Sequence, residues 1–375
     1  MNEASIERSL WQQLAARGAV AGDYTPTLRT PWPIRLLMGA AGWLGAIFFQ
    51  LFLVGSVFAA TRGNGPAMAV TGVLMIGMAV VLYRITAKEA GRIALGQFAL
   101  ALSLGGQGML FGGAGEAFGF DRMTRSAPFW LAVAAVETVL FAIVADRLHR
   151  FLVALGSWVA VAIALCIVVG DIVISRWSGI PVSVGVLAAL ALAVVAGAVL
   201  AEHRLAASGR HDAWAPAIDA TLVFSLAGML VVTGATHPAY LLFGDAKPWS
   251  VPAGWLPGVL AGIVWVAFAW RECQRLDVEM PLCAAAIGVA SALGALMLLA
   301  PAVTAGVLVL ALALRRGSMV WLGLAIATLL LGFVWYYSTL QWTLLAKSAT
   351  LVAAGVLLLA ARAALGRGAR KEVVA

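Results

Sequence analysis

Between Pro181 and Glu202 the chain reads VSVGVLAALALAVVAGAVLA, twenty residues with one serine and no charge. A helix of that length rises ~30 Å, the thickness of the hydrocarbon core of a bilayer. Runs of this kind recur from end to end, separated by short polar stretches, and no other feature restricts the fold as severely. Hydrophobic residues make up 63% of the 375 and charged ones only 11%, whereas a soluble domain carries about 25% charged residues. With a mean hydropathy of +0.98, the surface must face lipid. Helices rather than barrel strands follow from the period, because barrel strands are ~10 residues long and alternate. The expected fold is an all-α integral membrane protein, a bundle of about 12 transmembrane helices.

The predicted spans are 36–60, 66–83, 93–111, 127–145, 151–171, 181–200, 216–235, 254–270, 281–299, 301–314, 319–337 and 342–362. Only Ala300-Pro301 separates the pair 281–299 and 301–314, which also reads as one kinked helix with a re-entrant piece. Basic residues test the count, because cytoplasmic loops collect Lys and Arg. With the N-terminus inside, inner segments hold 19 of the 25 and outer segments five, the last being Lys347 within a span. Dropping one span would move Arg315, Arg316 and the C-terminal cluster to the outside. Both termini are therefore expected in the cytoplasm.

Three regions follow: a cytoplasmic segment 1–33, a helical membrane domain 34–365 and a basic tail 366–375. The first is no signal peptide, since it contains Glu3, Glu7 and Asp23 and has no apolar core of 7–15 residues. Residues 4–17 suit an amphipathic helix, with Ile6, Leu10 and Leu14 on one stripe, Trp11 beside them and Gly18 as a stop. It lies on the inner membrane surface or under the bundle, or it docks a partner. Two outer loops are long enough to hold structure, 112–126 and 236–253.

The net charge of +8 does not point to nucleic acid, because the basic residues are spread among loops at a membrane surface. The three cysteines form no C-x-x-C and the four histidines no H-E-x-x-H. No metal, cofactor or catalytic residue is assigned from these patterns, and the reading leans away from an enzyme.

Polar residues inside spans each need an account, since an ionised group at a helix centre costs ~2.5–3.5 kcal/mol on insertion scales. Glu137, in LAVAAVETVLFAIVA, lies near the midplane. It is expected to be protonated or paired with a cation, either as a neutral link between helices or as a proton site in a transport path. Lys347 sits shallower, just under an interfacial belt of Tyr336, Tyr337 and Trp342. Its stem can carry the ammonium outward to the headgroups, or the charge can meet a carboxylate such as Glu137 or Asp171. Gln50, Gln97 and Gln107 can join helices by hydrogen bonds. Gln107 stands in LGGQGMLFGG, where Gly108 and Gly112 form a G-x-x-x-G suited to close helix contact. Asp219 opens its span and is read as a helix cap.

The stretches TPWPIRLLMGAAGWLGAIFF (Thr30–Phe49), DRLHRFL (Asp146–Leu152) and WYYSTLQWTLLAKSATLVAAGVLLLAAR (Trp335–Arg362) resemble an uncharacterised bacterial family of polytopic membrane proteins. That family is known as a domain of unknown function, and its members are often encoded beside membrane proteins with a G-D-Y-x-x-L-x-Y motif. The resemblance implies recurring positions at Tyr336, Tyr337, Lys347 and Ser348, and at Gly106-Gln107; Glu137 has no place in the pattern. It implies class and location, not an activity.

The polar candidates are thus Glu137, Lys347, Gln107, Ser348 and Asp171, with the lipid bilayer as the certain partner. The first functional expectation is a subunit of a membrane or cell-envelope assembly with another integral membrane protein. The alternative is a secondary transporter or permease for a small solute, proton-coupled through Glu137. A third is an intramembrane lipid-modifying enzyme using Lys347, Ser348, His237 and Asp245.

Overall fold

The computed structural model describes residues 3–18, 22, 32–61, 64–86, 93–169, 182–234, 255–339 and 352. Every regular element among them is an α-helix. In chain order these are α1 (Glu3–Ala16), α2 (Trp32–Thr61), α3 (Gly65–Thr86), α4 (Ile93–Phe118), α5 (Phe120–Thr124), α6 (Ala127–Ile143) and α7 (Arg147–Val169). There follow α8 (Val182–Leu200), α9 (Glu202–Ala207), α10 (His211–Gly234), α11 (Leu256–Arg275), α12 (Met280–Leu296), α13 (Pro301–Arg316) and α14 (Met319–Thr339). Among the described residues, seven helices are long and apolar enough to cross a membrane, and Leu37–Phe52, Ala127–Ile143 and Met280–Leu296 are shorter apolar segments. The run 342–362 and the loop 236–253 lie outside the described residues apart from Val352.

Local chemistry sets the helix ends. α6, α11, α12 and α13 each carry a proline in the first turn, where the missing N–H has no intrahelical acceptor to lose. Gly317 ends α13 with φ 68°, the left-handed residue that satisfies the last carbonyls. The turn from α11 to α12 puts Asp277 at φ 48°, a conformation that Asp tolerates better than most residues. α1 ends before Gly18, at φ 67°. α4 runs past its expected end to Phe118 and absorbs half of the loop expected at 112–126.

The chain forms two compact units, 1–118 and 119–375. In the first, α4 packs against both α2 and α3. α3 and α4 approach through glycines seven residues apart on each helix. A Cβ on Gly65 would fall 2.5 Å from the Gly113 carbonyl oxygen, and one on Gly72 would fall 2.5 Å from that of Gly106. Ala79 and Ala99, both fully buried, occupy the next step of the same antiparallel register. The expected pair Gly108 and Gly112 is not the contact: nothing lies within 4 Å of a Cβ on Gly108, and only Met68 Cε reaches that on Gly112, at 4.0 Å. The heptad Gly106–Gly113 makes the contact instead, because the facing helix is antiparallel and nearly aligned, so the helix face repeats every seven residues.

Two of the three glutamines link helices as expected. Gln50 donates to the Ala101 carbonyl and Trp43 Nε1 donates to Gln97 Oε1 at 3.0 Å, both joining α2 to α4. Gln107 instead stays within its own helix.

The second unit is built around α13. Residues 301–306 are all buried, as are Leu308, Val309, Leu312 and Ala313, with α8, α10, α11 and α14 packed around them. Its first turn is completed from outside, since the Ala302 N–H donates to Thr233 Oγ1 of α10 at 3.1 Å. α12 and α13 are separate helices of opposite direction. On α12, Gly294 faces Gly262 of α11 and the following Leu298 reaches Gly258, so α12 is antiparallel to α11. Arg315 of α13 pairs with Glu272 near the end of α11, so α13 runs parallel to it.

Candidate functional site

Glu137 is the eleventh residue of α6, ~15 Å along a helix rising 1.5 Å per residue. It belongs to the buried stripe Val133, Ala134, Glu137 and Leu140, whose spacing of one, three and three residues faces α7. The side chain needs room there, and Gly156 of α7 supplies it. A Cβ at Gly156 would stand 3.2 Å from Glu137 Oε1 and 3.3 Å from Cδ. Glu137 is 7% exposed, and its Oε2 is buried with no hydrogen-bond partner among the described residues.

One residue further along both helices, the surroundings become polar. Thr138 Oγ1 donates to the Ala134 carbonyl at 2.8 Å and lies 3.3 Å from Ser157 Oγ, which itself reaches the Ala134 carbonyl at 3.4 Å. These two hydroxyls open onto a cleft of about 280 Å³ with Phe141, Ala154, Trp158 and Ala217 on its walls. Trp158 is fixed by two contacts, an indole N–H donated to Thr221 Oγ1 at 2.9 Å and a stack on Phe224 at 5.3 Å. The arrangement offers a buried carboxyl beside two hydroxyls. It contains no nucleophile aligned with a base, and among the described residues no three His, Cys, Asp or Glu side chains converge for a metal.

The other sequence candidates do not join this group. Gln107 is 5% exposed and donates to Ser103 Oγ, one turn back on α4, at 3.5 Å. Tyr336 and Tyr337 are half-buried in the last turns of α14, with Tyr337 stacked on Phe333 at 6.0 Å. Asp171, Trp342, Lys347 and Ser348 lie outside the described residues, as do His237 and Asp245. The expected pairing of Lys347 with Glu137 or Asp171 therefore falls there too.

Asp219 corrects its expected role. α10 begins at His211, so Asp219 stands two turns inside the helix and caps nothing. Its carboxylate accepts the Trp321 indole N–H at 3.0 Å and Arg147 Nη2 at 3.3 Å, with Arg316 Nη1 at 3.9 Å. Arg316 continues to Glu202 at 3.3 Å and lies over the Trp321 ring at 4.6 Å. Alongside, Glu272 holds Arg275 at 2.9 Å and Arg315. The ends of α7, α10, α11, α13 and α14, with α9, are thus tied together at one end of the second unit. Sequence gave one sign of it: acids appear next to arginines at the same end of alternate spans.

Asp146 has a further part that sequence reading missed. Its Oδ1 accepts the His149 backbone N–H at 2.8 Å and so caps α7, while the His149 ring is fully buried.

Among the described residues every regular element is helical and seven helices are of membrane length, which defines the class, a multi-pass helical membrane protein. Within that class, residues 31–368 match the domain of unknown function DUF4401, and the chain belongs to that family. No curated protein and no solved structure matches it.

Proposed function

We propose that this protein is a multi-pass subunit of the bacterial inner membrane that docks another integral membrane protein along α12, with its basic loops in the cytoplasm. The observation that carries the reading is an exposed seam on α12. Leu282, Ala285, Val289, Ala292 and Leu296 are all exposed and are spaced alternately by three and four residues, large and small in turn. That is the a/d pattern by which one helix takes knobs from another. In lipid no hydrophobic force distinguishes a partner helix from acyl chains, so close packing on small residues must supply the association.

The partner to which the family resemblance points is a membrane protein with the G-D-Y-x-x-L-x-Y motif. Affinity purification from native membranes in a mild detergent tests the reading. We expect a co-purifying membrane protein that Ala285→Leu with Ala292→Leu removes, while the thermal melt of the variant is unchanged. Retention of the same partner by that variant would overturn the proposal.

A second reading, proton-linked transport of a small solute, rests on the Glu137 oxygen that has no donor among the described residues and on the hydroxyl-lined cleft beside it. It expects Glu137→Gln to abolish solute flux and any growth phenotype. The docking reading expects that variant to behave as wild type.

A further inference from the structure

The end of the second unit that carries the ion pairs also carries a surplus of positive charge. A cleft of about 560 Å³ opens between the end of α8, α9 and the ends of α11 and α13. Arg204, Arg271, Arg275 and Arg315 line it, with His203 and Gln274, and none of the lining residues is acidic. Glu272 stands behind Arg275 and Arg315 and pairs with both. Glu202, the neighbouring acid, is taken up by Arg316. Arg204 and Arg271 are left with no ion partner among the described residues.

Four guanidinium groups around one cleft, with a single carboxylate behind two of them, repel one another unless an anion enters. The guanidinium fork matches the paired oxygens of a phosphate. The cleft has a second character, since Gly197, Leu200 and Ala201 line its other side and belong to the last turn of a membrane-length apolar helix and the residue after it. A purely soluble anion has no use for that wall, whereas a phospholipid presents a phosphate and an acyl chain to the two sides together. From this we infer that the cleft is a binding site for an anionic phospholipid, its phosphate held by Arg204 and Arg271 and its first methylenes against Leu200. Basic recesses between membrane helices on the cytoplasmic side take lipid headgroups of this kind. The site is independent of the α12 seam.

The test uses the full-length protein purified in detergent and titrated with phosphatidylglycerol, phosphatidylcholine or inorganic phosphate. Bound lipid is read by native mass spectrometry and stability by thermal melt. Phosphatidylglycerol is expected to bind in preference to phosphatidylcholine and to raise the melting midpoint, with no effect of inorganic phosphate. Arg204→Gln with Arg271→Gln is expected to weaken phosphatidylglycerol binding about 30-fold, at ~1 kcal/mol per basic residue near a membrane surface. Because neither arginine has a carboxylate to strand, the variant should melt as wild type does when no lipid is added. Equal binding of both lipids, or undiminished binding by the variant, would overturn the inference. An equal effect of inorganic phosphate would also overturn it, in favour of a soluble anion. If the double variant does not fold, Arg271→Lys alone carries the test: it keeps the charge, loses the fork, and should weaken binding measurably.

Discussion

The pair α3 and α4 of the first unit and the central helix α13 of the second solve one problem in different ways. Helices in lipid gain little from hiding apolar surface, so something else must hold them together. In the first unit α3 and α4 meet backbone to backbone, Gly65 on Gly113 and Gly72 on Gly106, with side chains removed from the contact. In the second, a helix wrapped by side chains, α13, is fixed by a tertiary cap at one end and by charges at the other. A backbone contact tolerates no added atoms, while a side-chain contact can yield locally. The two regions should therefore respond differently to the same kind of insult.

The largest effect is expected at Gly72. A leucine there would drive its Cβ into the Gly106 carbonyl and the Leu110 nitrogen, each 2.5 Å away. Since both are backbone atoms, α3 and α4 must separate, with a loss of roughly 3 kcal/mol or more, readable as a collapse of the thermal midpoint in detergent. A smaller loss would break the comparison, because the contact would then be soft. Next comes Asp219→Ala, which strands the Trp321 indole and a more exposed Arg147, while Arg316 keeps Glu202. About 2 kcal/mol is expected, below the 3–5 of a fully buried pair because the aspartate is 26% exposed. Asp219→Asn should lose less, as its amide oxygen still accepts from Trp321.

Gly156→Ala is a glycine test inside the second unit. Its Cβ would press on a carboxyl oxygen at 3.2 Å, a side chain that can turn aside, so about 1 kcal/mol is expected. A double-mutant cycle with Glu137→Ala should recover most of it. Smallest is Gly108→Ala, an exposed helical position with open space around it. It should be neutral or stabilise by up to about 1 kcal/mol through the lower helix propensity of glycine. A destabilisation comparable to that of Gly72→Leu would restore the G-x-x-x-G reading of α4.

Helices were legible because a bilayer leaves the backbone no alternative and an apolar run announces its own length. All the expected spans up to 319–337 coincide with helices, and the starts marked by Pro128, Pro257, Pro281 and Pro301 fall close to where they were expected; the larger displacements are elsewhere, α4 running on to Phe118 and α10 starting already at His211. Contacts were harder to read. LGGQGMLFGG offers several glycine pairs, and only the facing helix decides that Gly106 and Gly113 are the ones in use. Glu137 was found because a carboxylate deep in an apolar run is conspicuous, but Gly156 looks like any other glycine until the carboxyl is seen resting on it. Asp219 was misread because the apolar pattern begins late; the helix had already started at His211, and Pro216 within it hides that start. The basic cleft draws on four separate loops and helix ends, a grouping that no local pattern carries.

The position of α13 bears on how the protein is made. Its 16 residues rise ~24 Å, less than the ~30 Å of hydrocarbon, and its last turn holds Arg315 and Arg316. Such a segment is poorly suited to remain in lipid by itself as it leaves the translocon, yet ten of its residues end up buried. Its first turn is completed by Thr233, made long before it, and its buried flank by α14, made just after. Biosynthetic order and structural order are thus inverted here, and the centre of the fold is settled only once its last neighbours have emerged.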